Sequence, residues 1–96
     1  MSLTKAQLKY LRGICHHLKP VVSIGAKGLT ENVMHELDLA LTTHELIKVK
    51  LRLDRDTRRE LTAQITQQCQ AELVQSIGQT ACYYRQHPEK PELALP

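Results

Sequence analysis

Gly25 and Gly28 bracket Ala26 and Lys27 in the stretch PVVSIGAKGLTENV, residues 20 to 33, between an apolar segment and a helix start. A strand–Gly-x-x-Gly–helix loop is suited to holding an anion. Its glycines permit positive φ, its missing side chains let a ligand approach the backbone, and N–H groups near a helix start favour negative charge. A Walker loop needs GxxxxGK[ST] and a dinucleotide loop needs GxGxxG; neither occurs here. What remains is the clamping of a nucleic-acid backbone by GxxG. A plain tight turn would use the same four residues, so the surroundings have to decide. Glu31, in the first turn of the following helix, would repel an anion on the helix axis. A phosphate is therefore expected over the loop, near Lys27 and the Gly28 N–H.

The surroundings are basic. Residues 1 to 28 hold Lys5, Lys9, Arg12, Lys19 and Lys27 with no Asp or Glu, whereas residues 53 to 96 hold five basic and six acidic residues. The net charge of +3 is thus concentrated beside the glycine loop. A polyanion is the implied partner, with nucleic acid the commonest kind. Modules that read single-stranded bases stack them on exposed aromatic rings. This chain has no Phe or Trp, only Tyr10, Tyr83 and Tyr84, which fits recognition of RNA backbone and shape better than base-by-base readout.

Other chemistry finds less support. Cys15, Cys69 and Cys82 are odd in number and lack CxxC spacing, so buried reduced thiols are expected rather than disulfides or zinc. The five histidines show no HxxxH or HExxH, and the adjacent His16 and His17 cannot share a helical face. No metal or cofactor is expected. Asp54 and Asp56 read as helix caps, and His44-Glu45 has no nucleophile beside it, so no catalytic constellation is expected either.

The elements that position these residues follow from periodicity. Residues 4 to 18 read as a helix, with Leu8, Leu11, Ile14, Cys15 and Leu18 on its apolar side and Lys5, Lys9, Arg12 and His16 on another face. That face could be merely solvated, but solvated faces usually mix signs and this one is all positive. Lys19-Pro20 ends the helix, and Val21 to Ile24 read as a short, mostly buried strand. Thr30 is a good N-cap for a helix to about residue 43, with Leu29 and Met34 placed for a hydrophobic staple. Val33, Leu37, Ala40, Leu41 and His44 are expected to face inward. LIKVKLR, residues 46 to 52, alternates Ile47, Val49 and Leu51 with Lys48, Lys50 and Arg52, so one strand face is apolar and the other basic. Asp54 or Asp56 would cap a third helix that turns Leu61, Ile65 and Cys69 inward. Two strands, Leu73 to Ile77 and Ala81 to Arg85, flank the turn Gly78-Gln79-Thr80. HPEKPELALP then reads as an extended tail.

The order α-β-α-β-α-β-β predicts a single α/β domain over residues 1 to 86, with a four-stranded mixed sheet backed by helices, and a Pro-rich tail over 87 to 96. The 96 residues suit one domain, with 42% hydrophobic and 24% charged residues. No apolar run reaches membrane-spanning length and MSLTKAQLKY is not a signal peptide. A cytoplasmic monomer without membrane contact is the expectation.

LKPVVSIGAKGLTENV, HELIKVKLR (44 to 52) and GQTACYYR (78 to 85), in this order and spacing, resemble the CRM domain (chloroplast RNA splicing and ribosome maturation), in its stand-alone bacterial YhbY-like form. The resemblance covers roughly residues 3 to 86. It implies a fold similar to the C-terminal domain of translation initiation factor three. It also implies RNA binding through Gly25, Ala26, Lys27 and Gly28, and association with precursors of the large ribosomal subunit. Gln79 departs from the family, where Lys or Arg often follows the turn glycine, and the tail has no family role to carry over.

The function expected is a non-catalytic assembly factor that binds structured ribosomal RNA. Lys5, Lys9, Arg12, Lys19 and Lys27 would meet phosphates, and Lys48, Lys50 and Arg52 would either extend that surface or form a solvated sheet face. The alternative is an adaptor docking on a ribosomal protein or acidic partner. Its hint is Leu39, which falls off the apolar face of its helix.

Overall fold

The computed structural model describes residues 3–96, so the first two residues of the predicted domain lie outside the described residues. Helix α1 (Lys5–Cys15) starts at Thr4, whose hydroxyl accepts the Gln7 N–H while Gln7 Oε1 accepts the Thr4 N–H, a reciprocal capping box. It ends earlier than residue 18. The His17 and Leu18 N–H groups bond three residues back, to Ile14 and Cys15, so the last turn tightens before Pro20 forces the chain extended.

Strand β1 (Pro20–Ile24), helix α2 (Glu31–His44), strand β2 (Leu46–Leu51), helix α3 (Arg55–Cys69) and strands β3 (Glu72–Ile77) and β4 (Thr80–Tyr84) follow in the expected order. The sheet order is β1-β2-β4-β3, with β1 parallel to β2 and both other pairings antiparallel. Thr30 caps α2 by accepting the Val33 N–H. Asp54 occupies the N-cap of α3 without a side-chain cap bond. Gly78 takes the positive φ that the β3–β4 turn requires, 55°.

The helices divide between the two sheet faces. On one face α2 and α3 cover Val22, Ile24, Ile47, Val49, Leu51 and Tyr83, and Leu29 and Met34 pack there as a staple requires. The Tyr83 hydroxyl donates to the Thr62 carbonyl, so the deepest aromatic has no unmet polar atom. On the other face α1 lays Leu11 and Cys15 over Leu46, Val74, Cys82 and Tyr84. All three cysteines are free and buried, as the sequence predicts. Contact with Cys82 and burial push the Cys15 thiol up, which keeps it protonated.

Two expected burials fail. Val21 is 52% exposed because β1 is an edge strand and α1 leaves its side of the sheet open. His44 is exposed rather than inward, since α2 ends there and the next residue, Glu45, takes a positive φ of 62° and turns inward instead.

Residues 87–96 form no helix or strand, yet they are anchored. The buried Glu45 carboxylate accepts the His87 N–H on Oε2 and the Glu92 and Leu93 N–H groups on Oε1, all at 2.7–2.8 Å. Leu93 and Leu95 add to the apolar cluster under α1, and Gln7 Nε2 donates to the Pro96 carbonyl. The tail is a strap whose main polar anchor is one carboxylate.

Candidate nucleic-acid interface

The glycine loop follows Ile24, which pairs with Leu51 at the last position of β2. The Gly28 N–H donates to the Gly25 carbonyl at 2.9 Å, closing a tight turn, and Gly28 takes φ 68°. This corrects the expectation that the Gly28 N–H would meet a phosphate, because the turn itself uses that donor. At the tip, the Ala26 and Lys27 N–H groups donate to no backbone carbonyl among the described residues. Ala26 and Lys27 are both exposed. A Cβ added at Gly25 would meet nothing within 4 Å, and its φ is not positive. The fold therefore does not need glycine at that position, whereas Gly28 is required by its backbone.

Two segments converge on this loop. The Arg52 N–H donates to the Ile24 carbonyl at 2.9 Å, and the Leu51 N–H donates to the Gln79 carbonyl at 2.7 Å. The loop, the end of β2 and the β3–β4 turn thus share one end of the sheet. Lys50, Arg52 and Arg58 line an open hollow there together with Leu53, Gln79 and one acid, Asp54. Lys48 and Lys50 sit on the sheet face shared with α1 and are half-buried, because α1 covers only the part nearer β3. Ser23 pairs with Lys50 on the same open strip.

The cations sort into two kinds. Arg85 is structural: its guanidinium bonds Asp38, the Cys69 carbonyl and Thr42, tying β4 to α2 and α3. Arg58 donates to the Leu53 carbonyl at 2.6 Å and steadies the start of α3. By contrast, Lys5, Lys9, Lys19, Lys27, Lys48, Lys50 and Arg52 have no carboxylate partner among the described residues, where Arg85–Asp38 is the one ion pair. Cations without a carboxylate partner attract a polyanion rather than stabilise the fold.

The predicted basic face of α1 lies elsewhere than the loop. Arg12 Nε donates to the Val74 carbonyl of β3, so the face that Lys5, Lys9 and Arg12 share tilts toward the β3 edge, while the loop extends from the β1 edge. Lys48 and Lys50 occupy the strand between them. Arg58 is not evident from the sequence because its contribution depends on the α3 start folding back to the β2 end. Glu45 is not evident because its partners lie 42 to 48 residues away.

The α/β sheet thus carries a glycine loop with unpaired cations near it, and sequence comparison assigns the class. The family model for the CRS1 / YhbY (CRM) domain matches residues 3–85, and the chain belongs to that family. A probable RNA-binding protein of Pseudomonas aeruginosa is 51% identical over 90 residues, covering 93% of this chain and 86% of the relative. An RNA-binding protein of Haemophilus influenzae is 42% identical over 96 residues, covering 99% of this chain and 96% of the relative. The solution structure of a Staphylococcus aureus protein superimposes with a TM-score of 0.84 at 36% identity, covering 99% of this chain and all of that one.

Proposed function

We propose that the protein binds the sugar-phosphate backbone of structured RNA through Gly25–Gly28 and the cations around it. In this role it acts in the cytoplasm, as a monomer, in assembling the large ribosomal subunit from its RNA precursors. The observation that carries the reading is the exposed Ala26-Lys27 tip, whose two N–H groups are free of backbone partners, next to unpaired Lys50 and Arg52. Free backbone donors and cations that outnumber the one nearby acid, Asp54, at one end of a sheet suit a phosphate. Relatives named as RNA-binding proteins support the ligand class. The ribosomal precursor is what the resemblance in HELIKVKLR and GQTACYYR implies.

Crosslinking in cells followed by sequencing of the attached RNA tests this reading. Reads should concentrate in large-subunit precursor RNA. Reads spread over cellular RNAs in proportion to their abundance would overturn the ribosomal assignment.

A further inference from the structure

The open half of the sheet holds a groove whose apolar walls phosphate contacts do not use. Ile14 and Leu18 at the end of α1, Val21 of β1, Leu46 of β2 and Leu93 of the tail form its apolar walls. Lys19, His44 and Lys48 stand at its rim, and no Asp or Glu lines it. Its volume is about 380 Å³. Val21, a β-branched side chain 52% exposed, faces this opening. The tail closes the groove on one side, since the Glu45 carboxylate holds the Leu93 N–H and fixes that side chain in the wall.

We infer that this groove takes one unpaired nucleobase of the bound RNA; the inference rests on the RNA reading above. A nucleotide is an apolar, flat ring between two phosphates, and the groove is an apolar slot with lysines on separate elements. Lys19 lies on the link between α1 and β1, and Lys48 on β2. Aliphatic walls contact the faces of a base by dispersion, and an unpaired base bears no cost of leaving a duplex. The His44 imidazole at the rim can meet a base edge, since one ring nitrogen donates and the other accepts. An apolar peptide would fill the walls but leave both lysines without a partner. The groove therefore supplies what the aromatic-poor composition lacks, a place for a base without a stacking ring.

Three RNA hairpins of one sequence test this with the intact protein: fully paired, with one bulged nucleotide, and with the same bulge made abasic. The wild type binds the bulged hairpin on the order of tenfold tighter than its abasic form, the size of one base contact. Val21→Ser, neutral and at an exposed position, removes that difference while leaving affinity for the paired hairpin unchanged. Leu93→Ala does the same from the opposite wall. Equal binding of the base-containing and abasic hairpins by the wild type overturns the base-binding groove and leaves backbone recognition standing. Tight binding of an apolar acidic peptide in competition with none of the RNAs also overturns it. Failure to bind any of the three hairpins overturns the RNA reading itself.

Discussion

The two ends of β2 solve the same problem with opposite outcomes. At the end before Leu46, backbone N–H groups of the tail converge on the Glu45 carboxylate, so donors and anion belong to one chain. At the end beyond Leu51, the Ala26 and Lys27 N–H groups stand free beside Lys50 and Arg52, with no acidic partner for these cations. Roughly 20 Å of strand separates the two. An internal anion makes a strap; the donors at the loop have no anion of this chain to hold. Glu45 also shows the cost and its compensation. Burial pushes its carboxyl upward, and the N–H groups of His87, Leu93 and Glu92 together outweigh that and hold it below the usual carboxylate range.

The sharpest way to break the comparison is to remove the internal anion. Glu45→Ala is expected to cost about 3 kcal/mol of stability, since it deletes charge-assisted hydrogen bonds and frees the tail. Chemical denaturation measures that loss, and binding of a fully paired RNA should survive it in the folded fraction. Gly28→Val is expected to cost about 1–3 kcal/mol, because a β-branched residue is strained at φ 68°. It should weaken binding of the fully paired RNA too, which Glu45→Ala leaves intact.

Acid tests the strap without mutation. A carboxylate whose folded pKa is depressed stabilises the fold fully above its ordinary value of 4.5 and loses that contribution as pH falls through the lowered one. Protection of the His87, Glu92 and Leu93 amides, taken relative to their intrinsic exchange at each pH, should therefore fall below about pH 4.5 before that of β2 and β4 does. Unchanged protection of those amides in acid would mean that the strap does not depend on Glu45 ionisation. At the other end, Lys50→Gln with Arg52→Gln should flatten the log-affinity against log-salt slope by roughly 0.7–0.9 per lost phosphate contact. Lys5→Gln with Lys9→Gln should flatten it less, as their helix face tilts to the far sheet edge. The smallest effect on folding belongs to Gly25→Ala. Its added methyl meets nothing within 4 Å, so stability stays within about 0.5 kcal/mol and any loss of affinity reports a ligand packed against that atom.

Local signals make much of this legible. Thr30 before its apolar run, the alternation in LIKVKLR and the glycine of the β3–β4 turn each act over a few residues, and each element appears where its pattern places it. Strand order is not local. That β1 lies at an edge, and so leaves Val21 open, depends on β4 inserting between β2 and β3. The Glu45 strap is illegible for the same reason, because a lone Glu after a helix looks like any exposed acid until the tail returns to it. In the loop, the glycine pattern shows the turn but not which N–H the turn consumes. The conformation that makes Gly28 necessary also turns its donor inward, and it leaves the donors of Ala26 and Lys27 outward.

The measurement closest to the central claim is the affinity of Ala26→Asp/Lys27→Asp for precursor ribosomal RNA beside that of the wild type, with thermal unfolding of both. Both positions are exposed, so the unfolding midpoints should agree. One attractive charge disappears and two repulsive ones arrive beside the free amides, so affinity should fall by about tenfold or more, on the order of 1.4 kcal/mol. A variant that unfolds at the wild-type temperature and binds the same RNA with unchanged affinity would contradict the claim, leaving the glycine loop a connector between β1 and α2.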